Sequence, residues 1–321
     1  MIDFDNLQLG PVANVFVFVL FIIAVAAYIV YLQVFLYKKP KDERASLLIG
    51  DDIRYKEMSK KLVDDMFDRE YESVTIKTYD KKILFGRLYR GEEGAPVDIC
   101  FHGYNGTSRR DFSGGAAHMI DLGHNVILVD QRGTGRSEGR CMTFGIKERF
   151  DAMAWAKYAV NEFGEDVDIT LVGISMGAAT VCMATELKLP DNVKGVIADC
   201  PYSSAFDIIY KVATQDKHLP AAVMYLVDLS AQLFAGFDLR NMTAAKAAEK
   251  TNVPILIIHG EADTFVPPEM SKEIEDANPK MVQRHTFPGA NHGTSYLHDP
   301  ERYIKLVDDF YEFCGVNTKN N

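Results

Sequence analysis

The body of this 321-residue chain lacks any stripe of clustered Lys and Arg, and the formal charge is −10 at pH 7. Phosphate backbones are held by grouped basic side chains, so nucleic acid is excluded as a partner. None of the five cysteines forms a close pair at metal-ligand spacing, which argues against a zinc site. Cys100, Cys182 and Cys200 sit inside apolar runs, where free buried thiols are at home. Internal repeats and low-complexity segments are also absent. With 47% hydrophobic and 25% charged residues, the composition is that of a globular protein with a large buried core.

Charge is missing again from residues 15–32, and the apolar character extends to Val12 and Leu36. A helix rising about 1.5 Å per residue needs about 20 such residues to cross a hydrocarbon core of about 30 Å. Tyr28, Tyr31 and Tyr37 lie toward one end, where amphipathic rings prefer the membrane interface. Ala24-Val25-Ala26 imitates a signal-peptide cleavage site. The start, however, carries Asp3 and Asp5 in place of a basic region, and the apolar run continues past the alanines. The polar face of a buried core helix is missing as well. Residues 1–37 are therefore predicted to be a transmembrane anchor. Lys38, Lys39, Lys41 and Arg44 follow it and no Lys or Arg precedes it. Positive residues stay inside, which puts the C-terminal domain on the cytoplasmic side of the cell membrane.

Residues 38–70 are charged, and Met58, Leu62 and Met66 recur at spacing that predicts an amphipathic helical linker packed on the following domain. Two β-like runs, 73–79 and 83–89, flank Asp80-Lys81-Lys82 and read as a hairpin. Short apolar runs at 97–101, 126–129, 169–172, 193–198, 255–258 and 282–287 then alternate with helical stretches. That alternation predicts an α/β domain over residues 71–321, with a mostly parallel central sheet covered by helices on both faces. The longest interval without a strand, residues 201–250, is apolar and helix-like and is predicted to form a lid.

The run 169–172 leads into Gly173-Ile174-Ser175-Met176-Gly177 and then into helix-compatible sequence. A serine on such a strand-to-helix turn projects its hydroxyl above the sheet, and flanking glycines avoid Cβ collisions. Ser175 is thus the candidate nucleophile. Attack on an acyl carbon creates an oxyanion that needs two donors. The backbone N–H groups of Met176, at the helix start, and of Tyr104, in His102-Gly103-Tyr104-Asn105-Gly106 after the 97–101 run, are the candidates. Of eight histidines, His292 in Pro288-Gly289-Ala290-Asn291-His292-Gly293 lies on a loop beyond the last strand, where a general base can reach the serine. His102 reads as loop-shaping, and His259, His285 and His298 as packing or surface. Asp263, in Gly260-Glu261-Ala262-Asp263 after the 255–258 run, is the candidate acid, with Asp199 and Glu261 as neighbours suited to loop hydrogen bonds.

Together with Asp130-Gln131-Arg132-Gly133-Thr134-Gly135-Arg136-Ser137, these motifs resemble the α/β-hydrolase superfamily over residues 71–314, in the chain order Ser, Asp, His found on that fold. Within it the chain looks most like the monoacylglycerol-lipase-like and serine-aminopeptidase-like branch, above all bacterial hydrolases with one N-terminal span. The resemblance implies a serine hydrolase that needs no metal or organic cofactor, with Arg132 and Arg136 shaping the edge of the site. A membrane tether beside an apolar lid points to hydrophobic or lipid-derived esters. Phe206, Tyr210, Met224, Tyr225, Leu226 and Phe234 could line an acyl pocket or simply form the inner face of lid helices. Two other readings remain: a peptidase releasing N-terminal residues, with Glu261 or Asp207 holding the amine, and a non-catalytic membrane scaffold.

The charge asymmetry carries a test. A reporter fused after Asn321 should behave as cytoplasmic, and protease access to it from outside intact cells would reverse the orientation.

Overall fold

The computed structural model describes residues 10–44, 55–316 and 318. The acidic start with Asp3 and Asp5, and residues 45–54 of the expected linker, lie outside the described residues. Helix α1 (Pro11–Val34) opens with Pro11 in its first turn, where the missing N–H costs nothing. Helix α2 (Lys56–Asp68) follows. Its buried side chains are Ser59, Val63 and Met66, while Met58 and Leu62 stay partly exposed, so the inward face is rotated from the one the Met58-Leu62-Met66 spacing predicts.

Strands β1 (Glu72–Lys77) and β2 (Ile83–Tyr89) form the expected antiparallel hairpin, with Lys81 at φ 66° in its turn. Strand β3 (Val97–Phe101) leads to helices α3 (Ser108–Asp111) and α4 (Gly115–Asp121), β4 (Asn125–Val129) to α5 (Glu148–Phe163), and β5 (Ile169–Ile174) to α6 (Met176–Ala184). Strand β6 (Val193–Asp199) precedes α7 (Ala205–Lys211), α8 (Val223–Ser230) and α9 (Ala244–Ala248). After them come β7 (Ile255–Gly260), α10 (Pro268–Ala277), β8 (Val282–Phe287), α11 (Ser295–His298) and α12 (Pro300–Cys314). The eight strands run in the order β1-β2-β4-β3-β5-β6-β7-β8, and every pair from β4 to β8 is parallel.

The apolar runs become strands because both faces of the sheet are covered. Ile99 and Phe101 of β3, Ile127 and Val129 of β4, and Ile255 and Ile257 of β7 point into one core, beneath α5, α6, α9 and α10. The alternate residues Cys100, Val126, Leu128, Leu256 and Ile258 point into the other, beneath α4 and α12. A side-chain period of two with apolar groups on both sides is what a continuous hydrophobic strand can satisfy. Trp155 of α5 lies against β2, where a Cβ on Gly86 would stand 2.8 Å from its ring. Asp98, an acid inside β3, is matched by His124 Nδ1 at 2.7 Å and by the Tyr311 hydroxyl at 2.8 Å.

Residues 201–250 hold α7, α8 and α9, with π-helical turns at Val212–Asp216 and Ala231–Ala235, and Ile208, Ile209, Val212, Val223 and Val227 of this segment stand around one cavity with Ser175. The last turns of α1 pack on this segment. Ala27, Tyr31 and Phe35 are buried, with Tyr28 and Tyr31 against Phe234 and Phe35 against Phe144 and Phe237. Residues 11–25, by contrast, are exposed except for the half-exposed Ala13. Helix α1 is long and apolar enough to cross a membrane.

Candidate active site

Strand β5 runs straight into α6, and Ser175 between them is held at φ 55°, ψ −113°. That backbone conformation is costly for a residue with a Cβ and persists only where the surroundings enforce it. Here the enforcement is the closeness of the two elements. A Cβ on Gly173 would stand 2.3 Å from the Gly177 carbonyl, and one on Gly177 would stand 1.7 Å from the Phe101 carbonyl oxygen. The Ser175 N–H donates to the Asp199 carbonyl at 2.8 Å, which ties the turn to β6.

Ser175 Oγ lies 2.9 Å from His292 Nε2, and His292 Nδ1 lies 2.7 Å from Asp263 Oδ2. All three residues are buried, Ser175 keeping 6% of its surface exposed. The other carboxyl oxygen of Asp263 accepts the Phe265 and Val266 N–H groups at 2.9 and 2.8 Å. Burial works against ionisation of Asp263. Hydrogen bonds from His259 and His292 outweigh it and hold the carboxyl at about 2. The three residues that the sequence places on separate loops are therefore brought into one hydrogen-bonded line, with the imidazole fixed by an anion on its far side.

His259 was expected to be packing or surface. It is buried, with Nε2 3.2 Å from Asp263 Oδ2 and 3.0 Å from the Val266 carbonyl, so it also favours the charged form of Asp263. Its position four residues before the acid, at the end of β7, is the signal that could have revealed it. His102 shapes its loop as expected, between the Gly103 carbonyl at 2.8 Å and Thr134 at 3.0 Å. Arg132 pairs with Asp151 and Asp80, and Arg136 lies over the Phe85 ring, which is structural support. Cys200 Sγ stands 3.9 Å from His292 Nε2, a neighbour that nothing in the sequence singled out.

The Gly103 N–H is engaged by Asp111 Oδ2 at 3.0 Å. The N–H groups of Tyr104 and Met176 have no hydrogen-bond partner among the described residues, which leaves them available at the two loop ends beside Ser175. Asp199 ends β6 and does not reach His292. Its carboxyl is pushed up to about 6 by desolvation, against the opposing pull of His259 and of the Tyr303 hydroxyl, and Oδ1 has no partner among the described residues. Glu261 is exposed and accepts from Thr286 at 2.6 Å, a loop role.

Two cavities meet at Ser175. The smaller, about 170 Å³, is lined by Asp199, Arg110, Tyr296, Tyr303 and His292 among others. The larger, about 530 Å³, lies beneath the lid and is lined by Ile208, Ile209, Val212, Val223 and Val227, with Tyr104 and Phe265 on the core side. The aromatic lid residues singled out from sequence face elsewhere: Phe206 packs on Tyr210 and under Arg240, and Phe234 packs on α1. Lid helices turn their β-branched faces to the cavity, and sequence composition alone does not distinguish the two faces.

A family model described as the α/β hydrolase fold matches residues 99–245, and one described as serine aminopeptidase, S33, matches residues 204–301. An uncharacterised Bacillus subtilis protein, YqkD, is 25% identical over 203 residues, covering 63% of this chain and 66% of the relative. Protein bem46 of Schizosaccharomyces pombe is 24% identical over 257 residues, covering 78% and 80%. Among solved structures, the Pyrococcus furiosus esterase Pf2001 superposes with a TM-score of 0.61 at 23% identity, covering 78% of this chain and 93% of that one. At that identity the likeness shows a shared fold.

Two measurements follow from this geometry. Ser175→Ala should abolish labelling by a fluorophosphonate probe, and Ser175→Ala, His292→Ala and the double variant should lose hydrolysis to nearly the same extent, because residues acting as one unit are non-additive. Clearly additive losses would place one of them outside the unit. For Asp199, a carboxyl raised from 3.8 to about 6 stays protonated in the fold while the unfolded chain ionises, so its stabilising contribution is lost as pH rises through that window. Asp199→Asn should therefore gain roughly 1–3 kcal/mol in urea unfolding at pH 8, and the gain should vanish below about pH 4.

Proposed function

We propose that this chain, which has the α/β-hydrolase fold and matches two α/β-hydrolase family models, is a membrane-anchored serine esterase acting on hydrophobic carboxylic esters. The observation that carries this reading is the continuous line from Ser175 through His292 to a charged Asp263, at the floor of an aliphatic cavity. Ser175 Oγ attacks the ester carbonyl carbon while His292 Nε2 takes its proton. The oxyanion is met by the N–H groups of Tyr104 and Met176, each such donor being worth about 2.7–4 kcal/mol of barrier. His292 then gives its proton to the leaving alcohol as the C–O bond breaks, and the acyl group stays on Ser175. Water attacks that acyl-enzyme with His292 again as base, and the carboxylic acid departs. Asp263 stays ionised throughout and stabilises the imidazolium between steps.

Helix α1 serves as a single-pass anchor, with the domain on the cytoplasmic side following from Lys38, Lys39, Lys41 and Arg44. The likeness to the Pyrococcus furiosus esterase Pf2001 supports the same class of substrate.

One observation favours a second reading. The buried Asp199 carboxyl lines the smaller cavity with one oxygen unpartnered among the described residues, and a serine-aminopeptidase model matches the C-terminal half of the domain. Such an acid could hold a substrate ammonium. The acids first considered for that task, Glu261 and Asp207, line neither cavity. The scaffold reading has no such support, since a scaffold needs neither the strained serine nor its hydrogen-bonded partners.

A panel of p-nitrophenyl esters from acetyl to dodecanoyl, run beside aminoacyl amides on the purified full chain, decides between these readings. Esters should turn over faster, because the larger cavity buries methylenes at about 0.8 kcal/mol each and presents no carboxylate to an ammonium group. Faster aminoacyl amides would transfer the assignment to the peptidase class.

A further inference from the structure

The wall of the larger cavity that faces the lid is not made by the hydrolase domain. It is made by α1: Ile29, Val30, Gln33 and Val34 line the space that reaches Ser175. This is one face of the helix, at i, i+1, i+4 and i+5, while Ala27, Tyr28 and Tyr31 on the adjoining face hold the helix to the lid. The connection continues below the helix. The Tyr104 hydroxyl donates to the Val34 carbonyl at 2.7 Å, the Lys38 N–H to Asn105 Oδ1 at 2.8 Å, and the Met142 N–H to the Phe35 carbonyl at 2.9 Å. The loop carrying the Tyr104 donor is thus bonded directly to the end of the anchor.

Helix length then positions the cavity against the bilayer. The exposed part, residues 11–25, is about 22 Å long at about 1.5 Å per residue, against a hydrocarbon core of about 30 Å. A span that begins at Pro11 then draws the packed part of the helix, and residues 201–250 with it, about 8 Å into the membrane. Residues 201–250 carry exposed apolar side chains that such a depth would bury: Tyr225 is 81% exposed and Leu233 61%, with Tyr210 and Leu219 also exposed. Lys38 and Lys217 are the charged residues in the cavity lining, and their long apolar stems can lie along it while the ammonium groups reach water.

We propose that α1 is both anchor and substrate wall: Ile29, Val30 and Val34 close the acyl site, and the acyl chain of a single-chain membrane lipid reaches Ser175 along this helix, directly from the leaflet. The proposal rests on the esterase reading and names its substrate class. Acyl-length preference is then set by the anchor, and bilayer-borne substrate does not pass through water.

The test uses the full chain in lipid nanodiscs and the ratio of dodecanoyl to butanoyl p-nitrophenyl ester turnover. Val30→Phe and Val34→Phe, which fill the site, should each lower that ratio by about tenfold or more, the discrimination a few methylenes confer in a fitted pocket. Leu20→Phe, on the exposed part of α1, should leave it at the wild-type value. If a Phe variant fails to fold, seen as loss of fluorophosphonate labelling, Val30→Ala and Val34→Ala enlarge the site and should raise the ratio. For the entry path, Tyr225→Asp combined with Leu233→Asp should depress turnover of a long-chain monoacylglycerol embedded in the nanodisc several-fold more than turnover of the water-soluble butanoate. A wild-type enzyme that cleaves no ester removes the esterase reading and this proposal together. A wild-type length preference that all four valine variants leave unmoved keeps the esterase and overturns the wall, and equal losses on both substrates in the Asp variant overturn entry from the leaflet.

Discussion

The architecture around Ser175 depends on one close approach, Gly177 of α6 against the Phe101 carbonyl at the end of β3, where a single Cβ would leave 1.7 Å. That absence of space for a side chain lets the helix seat directly on the sheet and leaves the chain between β5 and α6 no room for a relaxed turn. Ser175 takes the strained conformation in consequence. Strain of this kind costs on the order of 1–3 kcal/mol and is repaid by the two cores on either side of the sheet. The hydroxyl is thereby carried by rigid elements, and the loops that meet it need adjust very little.

Electrostatics divides two buried acids between opposite fates. Asp263 receives two backbone N–H groups and two imidazoles, so its charge survives burial at about 2. Asp199, one strand away, has fewer donors and is pushed up to about 6. Asp199 ends β6 and Asp263 follows β7 in the same sheet, and residue type does not separate them. The count of donors does, because inside a protein a carboxylate is stable only where hydrogen bonds replace its lost hydration.

The end of α1 and residues 201–250 form one layer. Phe35, Phe144, Phe237 and the ring of Tyr104 pack in sequence from the end of α1 to the loop beside the serine. Tyr31 and Phe35, at the end of this long apolar helix, are buried to 7% and 0% exposure, so its end is packed into the fold. Aromatic packing of this sort is worth more than its area alone and holds ring orientation as well as distance.

Much of this was legible in the sequence, for a physical reason in each case. The run Val97-Asp98-Ile99-Cys100-Phe101 reads as a buried strand because strand side chains alternate between two apolar cores, and the glycines around Ser175 mark a turn too tight for side chains. Spacing and order along the chain likewise picked out His292 and Asp263, since loops at strand ends converge on one edge of a parallel sheet. What the residues alone could not determine is which face of a helix meets which neighbour. Phe206 and Phe234 read equally as pocket or as helix packing and do not line the cavity, His259 read as packing or surface and supports Asp263, and the end of α1, an apolar helix by sequence, also lines the cavity. Composition and periodicity are properties of a segment by itself, whereas these three outcomes are properties of contacts between segments far apart in the chain, and only the folded packing of α1, the lid and the sheet decides them.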